Sequence, residues 1–262
     1  MPQNTPPLWN LQPNDILFED DNIIVINKPA GIPSQATLDP HRDHCYAAVG
    51  RYLQKKSGQP CYVGLHHRLD ALTSGVLLLT KTQAVNASVS EQFQQHRIQK
   101  TYCAISQIPK AQPLDQRLSE AWLNDGTALL LDASIGELKD SKTQKFCVGG
   151  KKRKSAQTEI VCTDHITLRD GQIFVCKCHP LTGRTHQIRV HLAHLGLSIV
   201  GDPLYGMPLL RSLRSISPER LCLHAESLTF DHPVTKERLT IFAPIPGIFD
   251  HFIQKAHRIA LT

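Results

Sequence analysis

The residues best placed to do chemistry lie between His66 and Lys81, in the stretch HHRLDALTSGVLLLTK. Asp70 stands there beside His67, Arg68 and Thr73, just ahead of the apolar run Val76 to Leu79. That run, bounded by Gly75 and Lys81, reads as a buried strand. A carboxylate delivered to the mouth of a buried strand costs several kcal/mol unless it is paired and hydrogen-bonded. Asp70 is therefore either a turn former, bonding its own backbone ahead of Thr-Ser-Gly, or a carboxylate kept for a reaction. Two later blocks also carry chemistry-bearing side chains. One is Lys100-Thr101-Tyr102; the other is Thr182 to His191, TGRTHQIRVH, continuing to Gly201-Asp202 and Tyr205-Gly206.

HRLDxxTSG followed far downstream by TGRxHQIRxH resembles the RluA-type family of RNA pseudouridine synthases, and the likeness runs from about Ile16 to about Pro246. The resemblance implies an α+β pseudouridine synthase fold and an isomerase acting on uridines of ribosomal or transfer RNA. Uracil leaves ribose C1′ through N1 and returns through C5, so the bookkeeping needs no cofactor and no metal. By resemblance Asp70 is the catalytic carboxylate, and Arg189 is the cation that keeps it ionised. A cation within about 4–6 Å lowers a carboxylate pKa by roughly 1–3 units. Tyr102 is implied to lie against the uracil, where stacking contributes about 1–3 kcal/mol and tolerates rotation of the base. Arg68 is implied to occupy the space vacated by the flipped nucleotide. His67 would orient the loop beside the RNA, Arg184 would meet phosphate, and Asp202 would hold the loop after the third block. The residues themselves leave plainer readings open: a strand tyrosine at 102, a surface arginine on an amphipathic helix at 189, and a salt bridge at 68. The family often has an arginine directly after the aspartate; Ala71 stands there, which removes a possible brace.

The elements that must position these blocks follow in order. Residues 1–14 are polar and Pro-rich and read as a tail. One catalytic domain is expected over 15–262, with no separate N-terminal RNA-binding module. Asp20-Asp21-Asn22 turns between the strands Ile16–Phe18 and Ile23–Ile26, and Lys28-Pro29-Ala30-Gly31 ends the second. A short helix is expected over Tyr46–Lys55 and a strand over Tyr62–Leu65. A helix capped by Thr82 should run to about Arg97, with Val85, Val89 and Phe93 on one face. Residues 114–150 read as a short strand pair plus loop, and Lys151-Lys152-Arg153-Lys154 as an exposed loop or a phosphate contact. Strands follow at Thr158–Cys162 and Ile173–Cys178, the latter sending Cys176 and Cys178 to one face. Thr185 is a candidate cap for a helix His186–Leu195. Ser198–Val200 returns to loop. Strands at Leu221–Ala225, Ser227–Phe230 and Arg238–Phe242 precede a closing helix, Phe249–Ala260. Without regular βαβ alternation, the pattern predicts a mixed, largely antiparallel sheet.

Composition bounds the rest. The chain has 262 residues, 41% of them hydrophobic, enough for a substantial core. No apolar run approaches the ~20 residues of a membrane span, and the N-terminus lacks a basic, apolar signal pattern. A cytoplasmic monomer without a membrane partner is expected. The eight scattered cysteines contain no CxxC pair and read as reduced. A net charge of +6 permits an anionic partner such as RNA. Two other classes remain. One is a non-catalytic RNA-binding protein on the same scaffold. The other is a metal-dependent hydrolase using His186, His191 and His194, whose spacing is not HExxH.

Overall fold

Val76 to Leu79 form the centre of a fully buried strand, as a continuous Val/Leu run between a glycine and a lysine should. A computed structural model of the chain describes residues 8–138 and 145–261. Its elements in order are β1 (Ile16–Glu19), β2 (Ile23–Lys28), α1 (Cys45–Ser57), β3 (Gly64–Leu65), β4 (Ser74–Thr80), α2 (Asn86–Gln94), β5 (Gln99–Pro109), α3 (Glu120–Asn124), β6 (Leu129–Asp132), β7 (Ile135–Glu137), β8 (Phe146–Val148), β9 (Lys151–Lys154), β10 (Gln157–Leu168), β11 (Gly171–Pro180), α4 (Gln187–His194), β12 (Ser198–Ile199), β13 (Leu223–Asp231), β14 (Arg238–Phe242) and α5 (Gly247–Ala260). The chain divides into two compact units. One contains Met1–Gln99 and Ala225–Pro244, the other Lys100–His224 and Ile245–Thr262.

In the first unit β1, β2 and β4 pair in that order, all antiparallel, with β3 also on β4 and β14 on β13. Alternate residues Ile23 and Val25 of β2 and Val76 and Leu78 of β4 meet Val89 of α2 and Leu228 and Phe230 of β13 in one core cluster. Gly75 is required where it stands: its φ is 116°, in the region that favours glycine, and an added Cβ would lie 2.0 Å from the Ala225 carbonyl oxygen. The expected tail lies outside the described residues up to position 7. From Leu8 the segment is docked: Leu11 is buried, the Trp9 amide donates to Asp43, and Arg51 donates to the Trp9 carbonyl.

In the second unit β5, β11, β10 and β6 pair antiparallel in that order, with β12 on β5. Cys176 and Cys178 are both buried on one face of β11. α3 and α5 lie against β10, and the buried Trp122 of α3 donates its indole N–H to the Ile160 carbonyl at 3.0 Å. A separate three-stranded sheet runs β8–β7–β9. The reading of 114–150 as a strand pair is thus incomplete, with positions 139–144 outside the described residues. The lysine run at 151–154 is a strand, not a loop. The segment at 198–199 pairs as β12, and Leu223–Asp231 is one strand. Together the pairings make a mixed, largely antiparallel architecture. Among the described residues no helix is long and apolar enough to cross a membrane.

Both expected threonine caps differ from the structure. Thr82 has the extended backbone of an N-cap, but its hydroxyl makes no cap bond, and a 3-10 turn over Gln83–Val85 precedes α2. The helix stops at Gln94, with His96 in the left-handed region at φ 55. The helix expected from His186 begins instead at Gln187, because His186 itself is left-handed at φ 56.

Candidate active site

Asp70 lies half-buried in the loop between β3 and β4. Its main chain is fixed on both sides. The Asp70 carbonyl accepts from Thr73 N, and Leu69 exchanges two hydrogen bonds with the Ser34 hydroxyl, donating its N–H and accepting through its carbonyl. The Ala71 carbonyl accepts from Gly31 N at 2.7 Å and from the Lys28 ammonium at 3.0 Å. Lys28 is wholly buried, and the same ammonium donates to the Pro29 and Ile32 carbonyls at 2.9 and 2.6 Å. Three main-chain oxygens thus take the three donors of one lysine, which is how a buried cation becomes tolerable. Sequence reading treats Lys28 only as the end of a strand. The one available signal was a lysine closing the strand Ile23–Lys28 directly before Pro-Ala-Gly.

His67 is also part of this frame. Its Nε2 accepts from Leu78 N at 3.0 Å, and its ring stacks on Phe93 with centroids 4.7 Å apart. It ties the loop to β4 and α2 from the inside. Arg68, next in sequence, is exposed. The brace lost with Ala71 is supplied through that residue's carbonyl, which no side-chain change at 71 removes.

The second and third blocks are joined within the second unit. The Lys100 ammonium, at the start of β5, donates to the Thr182 carbonyl at 3.1 Å, and burial lowers its pKa to about 8. Tyr102 is half-buried on β5, opposite Cys178 of β11. The turn before α4 is ordered by one glutamine. Gln187 Oε1 accepts from the Thr182 hydroxyl at 2.6 Å and from Arg184 N at 3.0 Å. Its Nε2 donates to the Gln157 carbonyl and the Thr158 hydroxyl. Thr158 then donates to His191 Nδ1 at 2.8 Å, and His191 Nε2 donates to the Ala133 carbonyl at 2.9 Å. Every member has a defined donor or acceptor role, so His191 is held as one neutral tautomer. Burial lowers its pKa accordingly. Both ring nitrogens being committed to protein partners, His191 is poorly suited to hold a metal. Among the described residues no group of three His, Cys, Asp or Glu side chains could do so.

Arg189 projects from α4 and is buried. Its Nε and Nη2 donate to the two carboxylate oxygens of Asp202, each at 2.7 Å, with both side chains almost fully buried. Burial raises the Asp202 pKa, but the bonds and charge of Arg189 outweigh it and hold the carboxyl below its usual range. Asp202 also accepts from Leu204 N and Tyr205 N, so it holds the loop after the third block. The guanidinium lies over the Tyr205 ring at 5.1 Å, adding a cation–π contact. Tyr205 accepts from Phe146 N and donates to His186 Nδ1 at 2.8 Å, which helps hold the left-handed His186. Arg184 is half-buried and its Nε donates to the Ser155 carbonyl at 2.8 Å.

The RNA pseudouridylate synthase family matches residues 22–194. A dual-specificity RNA pseudouridine synthase RluA from Haemophilus ducreyi is 33% identical over 224 residues, covering 86% of this chain and 90% of that protein. A tRNA pseudouridine synthase C from Yersinia pestis is 32% identical over 254 residues, covering 91% of this chain and 90% of its own length. Among solved structures, human RNA pseudouridylate synthase domain containing 4 superposes with a TM-score of 0.69 at 25% identity, covering 94% of this chain and 93% of that one. The chain belongs to the RNA pseudouridylate synthase family, isomerases that act on RNA.

Proposed function

We propose that this RNA pseudouridine synthase isomerises uridines of ribosomal or transfer RNA, with Asp70 as its catalytic carboxylate. The observation that carries the residue assignment is the frame around Asp70: a half-buried carboxylate on a loop pinned by Lys28, Ser34 and His67. A side chain serving only as a turn former needs no such buried cation behind it. In the reaction the C1′–N1 bond breaks, the detached uracil turns, a C1′–C5 bond forms, and the C5 proton is lost while N1 gains one. The carboxylate must be ionised beside the sugar. The proposal assigns Arg189 to keep it so and Tyr102 to support the base through its rotation. Arg68 and Arg184 are assigned to the RNA, Arg68 beside the displaced nucleotide and Arg184 at a phosphate. Transfer RNA is the substrate named for the Yersinia relative. Eight free thiols suit a reducing cytoplasm.

Asp70→Asn keeps the shape of the side chain and removes its charge. Pseudouridine formation on total cellular RNA should fall below detection while RNA affinity stays near wild type. An Asn variant that still converts uridine removes Asp70 from the chemistry. Mapping pseudouridines in ribosomal and transfer RNA from cells with and without the protein identifies the target, and an unchanged map in both pools excludes this substrate class.

A further inference from the structure

The geometry points to β9, Lys151-Lys152-Arg153-Lys154, as a docking strip for the RNA phosphate backbone, an inference that rests on the proposed RNA activity. All four residues are exposed. Cationic residues on an edge strand commonly serve only to block unwanted pairing, and three observations favour a ligand instead. First, β9 is the outer strand of the β8–β7–β9 sheet, and its pairing with β7 slips between Ile135 and Glu137, where a bulge re-aims side chains. Second, Lys152 is held left-handed at φ 49, a strained state for a lysine that solvation alone does not explain. Among the described residues none of the four makes an ion pair that would compensate. Third, the strip leads into the third motif. Lys154 is followed by Ser155, whose carbonyl takes Arg184 Nε. The small sheet packs through Ile135, Phe146 and Val148 with Val190 of α4 and Tyr205. The helix that carries Arg189 and the strand that carries four cations are thus parts of one packed unit, and the positive charge runs from Lys151 to Arg184. Uncharged partners gain nothing from such a row; a polyanion does, by releasing its counterions.

The test compares two full-length variants with wild type on a short RNA containing a target uridine. One replaces Lys151, Lys152, Arg153 and Lys154 by Gln; the other replaces Lys110, Arg169, Lys255 and Arg258 by Gln, removing equal charge elsewhere in the same unit. Each phosphate contact contributes about 0.7 to the slope of log affinity against log salt for single-stranded RNA. The β9 variant should lose about 2–3 from that slope and bind at least about tenfold more weakly near physiological salt, with kcat unchanged. A β9 variant matching the control in slope and affinity overturns the inference. Lys152→Gly separates binding from folding, since glycine accepts the left-handed backbone. It should keep or raise thermal stability while weakening RNA affinity, and a gain in stability with unchanged affinity would count against the strip. If wild type binds RNA with this dependence yet forms no pseudouridine, the proposed reaction fails and the docking strip stands.

Discussion

The Asp70 loop and the Arg189 helix are both held by buried charge, but by opposite means. At Asp70 the holding group is one lysine, and its acceptors are main-chain carbonyls of Pro29, Ile32 and Ala71. At Arg189 the holding group is a side-chain carboxylate, and on the same helix Gln187 and His191 are joined separately through Thr158, side chain to side chain. A carbonyl is present whatever residue carries it. The acceptors of the first frame are therefore indifferent to the side chains at 29, 32 and 71, while Lys28, Ser34 and His67 still act through theirs. The second frame depends on the identity of each member, which is why its motif is long and legible while the first region's anchor at Lys28 is not.

The comparison breaks most sharply at Asp202. Asp202→Ala takes both Asp202 bonds from a buried guanidinium and strips the acceptor from Leu204 N and Tyr205 N. Breaking a buried pair from one side costs about 3–5 kcal/mol. Denaturant unfolding should show a loss of that size, and a loss under about 1 kcal/mol would mean that the pair is not what holds this loop. Lys28→Met should cost less. It takes a donor from three carbonyls, of which Ala71 keeps Gly31 N, and an unsatisfied carbonyl costs about 1–3 kcal/mol, but it also removes a buried charge whose desolvation opposed folding. A net loss of about 1–3 kcal/mol is expected, with kcat falling further than KM rises because the Asp70 loop loses its floor. Wild-type kcat in a folded Lys28→Met protein would show that the lysine only packs.

Much of this was readable from residue order. β4 could be found because a continuous Val/Leu run between Gly75 and Lys81 has few other uses. Asp70 drew notice because a carboxylate at the mouth of that run needs a reason. Cys176 and Cys178 fell on one buried face because strand period is a property of the chain alone. What was hidden depended on partners distant in sequence. Arg189 on an amphipathic helix does not announce that Asp202, 13 residues on, closes around it. Thr185 had the type of a cap, but Gln187 Oε1 takes the Arg184 amide instead, and the helix starts late. The strand at 151–154 carries no apolar period, so its pairing with β7 rests on backbone bonds that no side-chain pattern records.

The smallest expected effect is in pH dependence, and it also separates the two regions. Burial lowers the pKa of His191 in the second frame and of His66 beside the first. The folded state therefore keeps each ring neutral where the unfolded chain, titrating near 6.5, has begun to take a proton. The stability each contributes is complete above about pH 6.5 and declines as pH falls below it, until the folded ring protonates as well. One such group changes stability by at most about 1.4 kcal/mol per pH unit. His191 is wholly buried and His66 only partly. Unfolding free energies measured from pH 7.5 to 5 should thus flatten more in His191→Gln than in His66→Gln. The overall stability of either variant is not the readout, since both lose hydrogen bonds; the slope is. Equal slopes in wild type and His191→Gln would show that the ring protonates in place, and that the chain from Gln187 to Ala133 is looser than its hydrogen bonds imply.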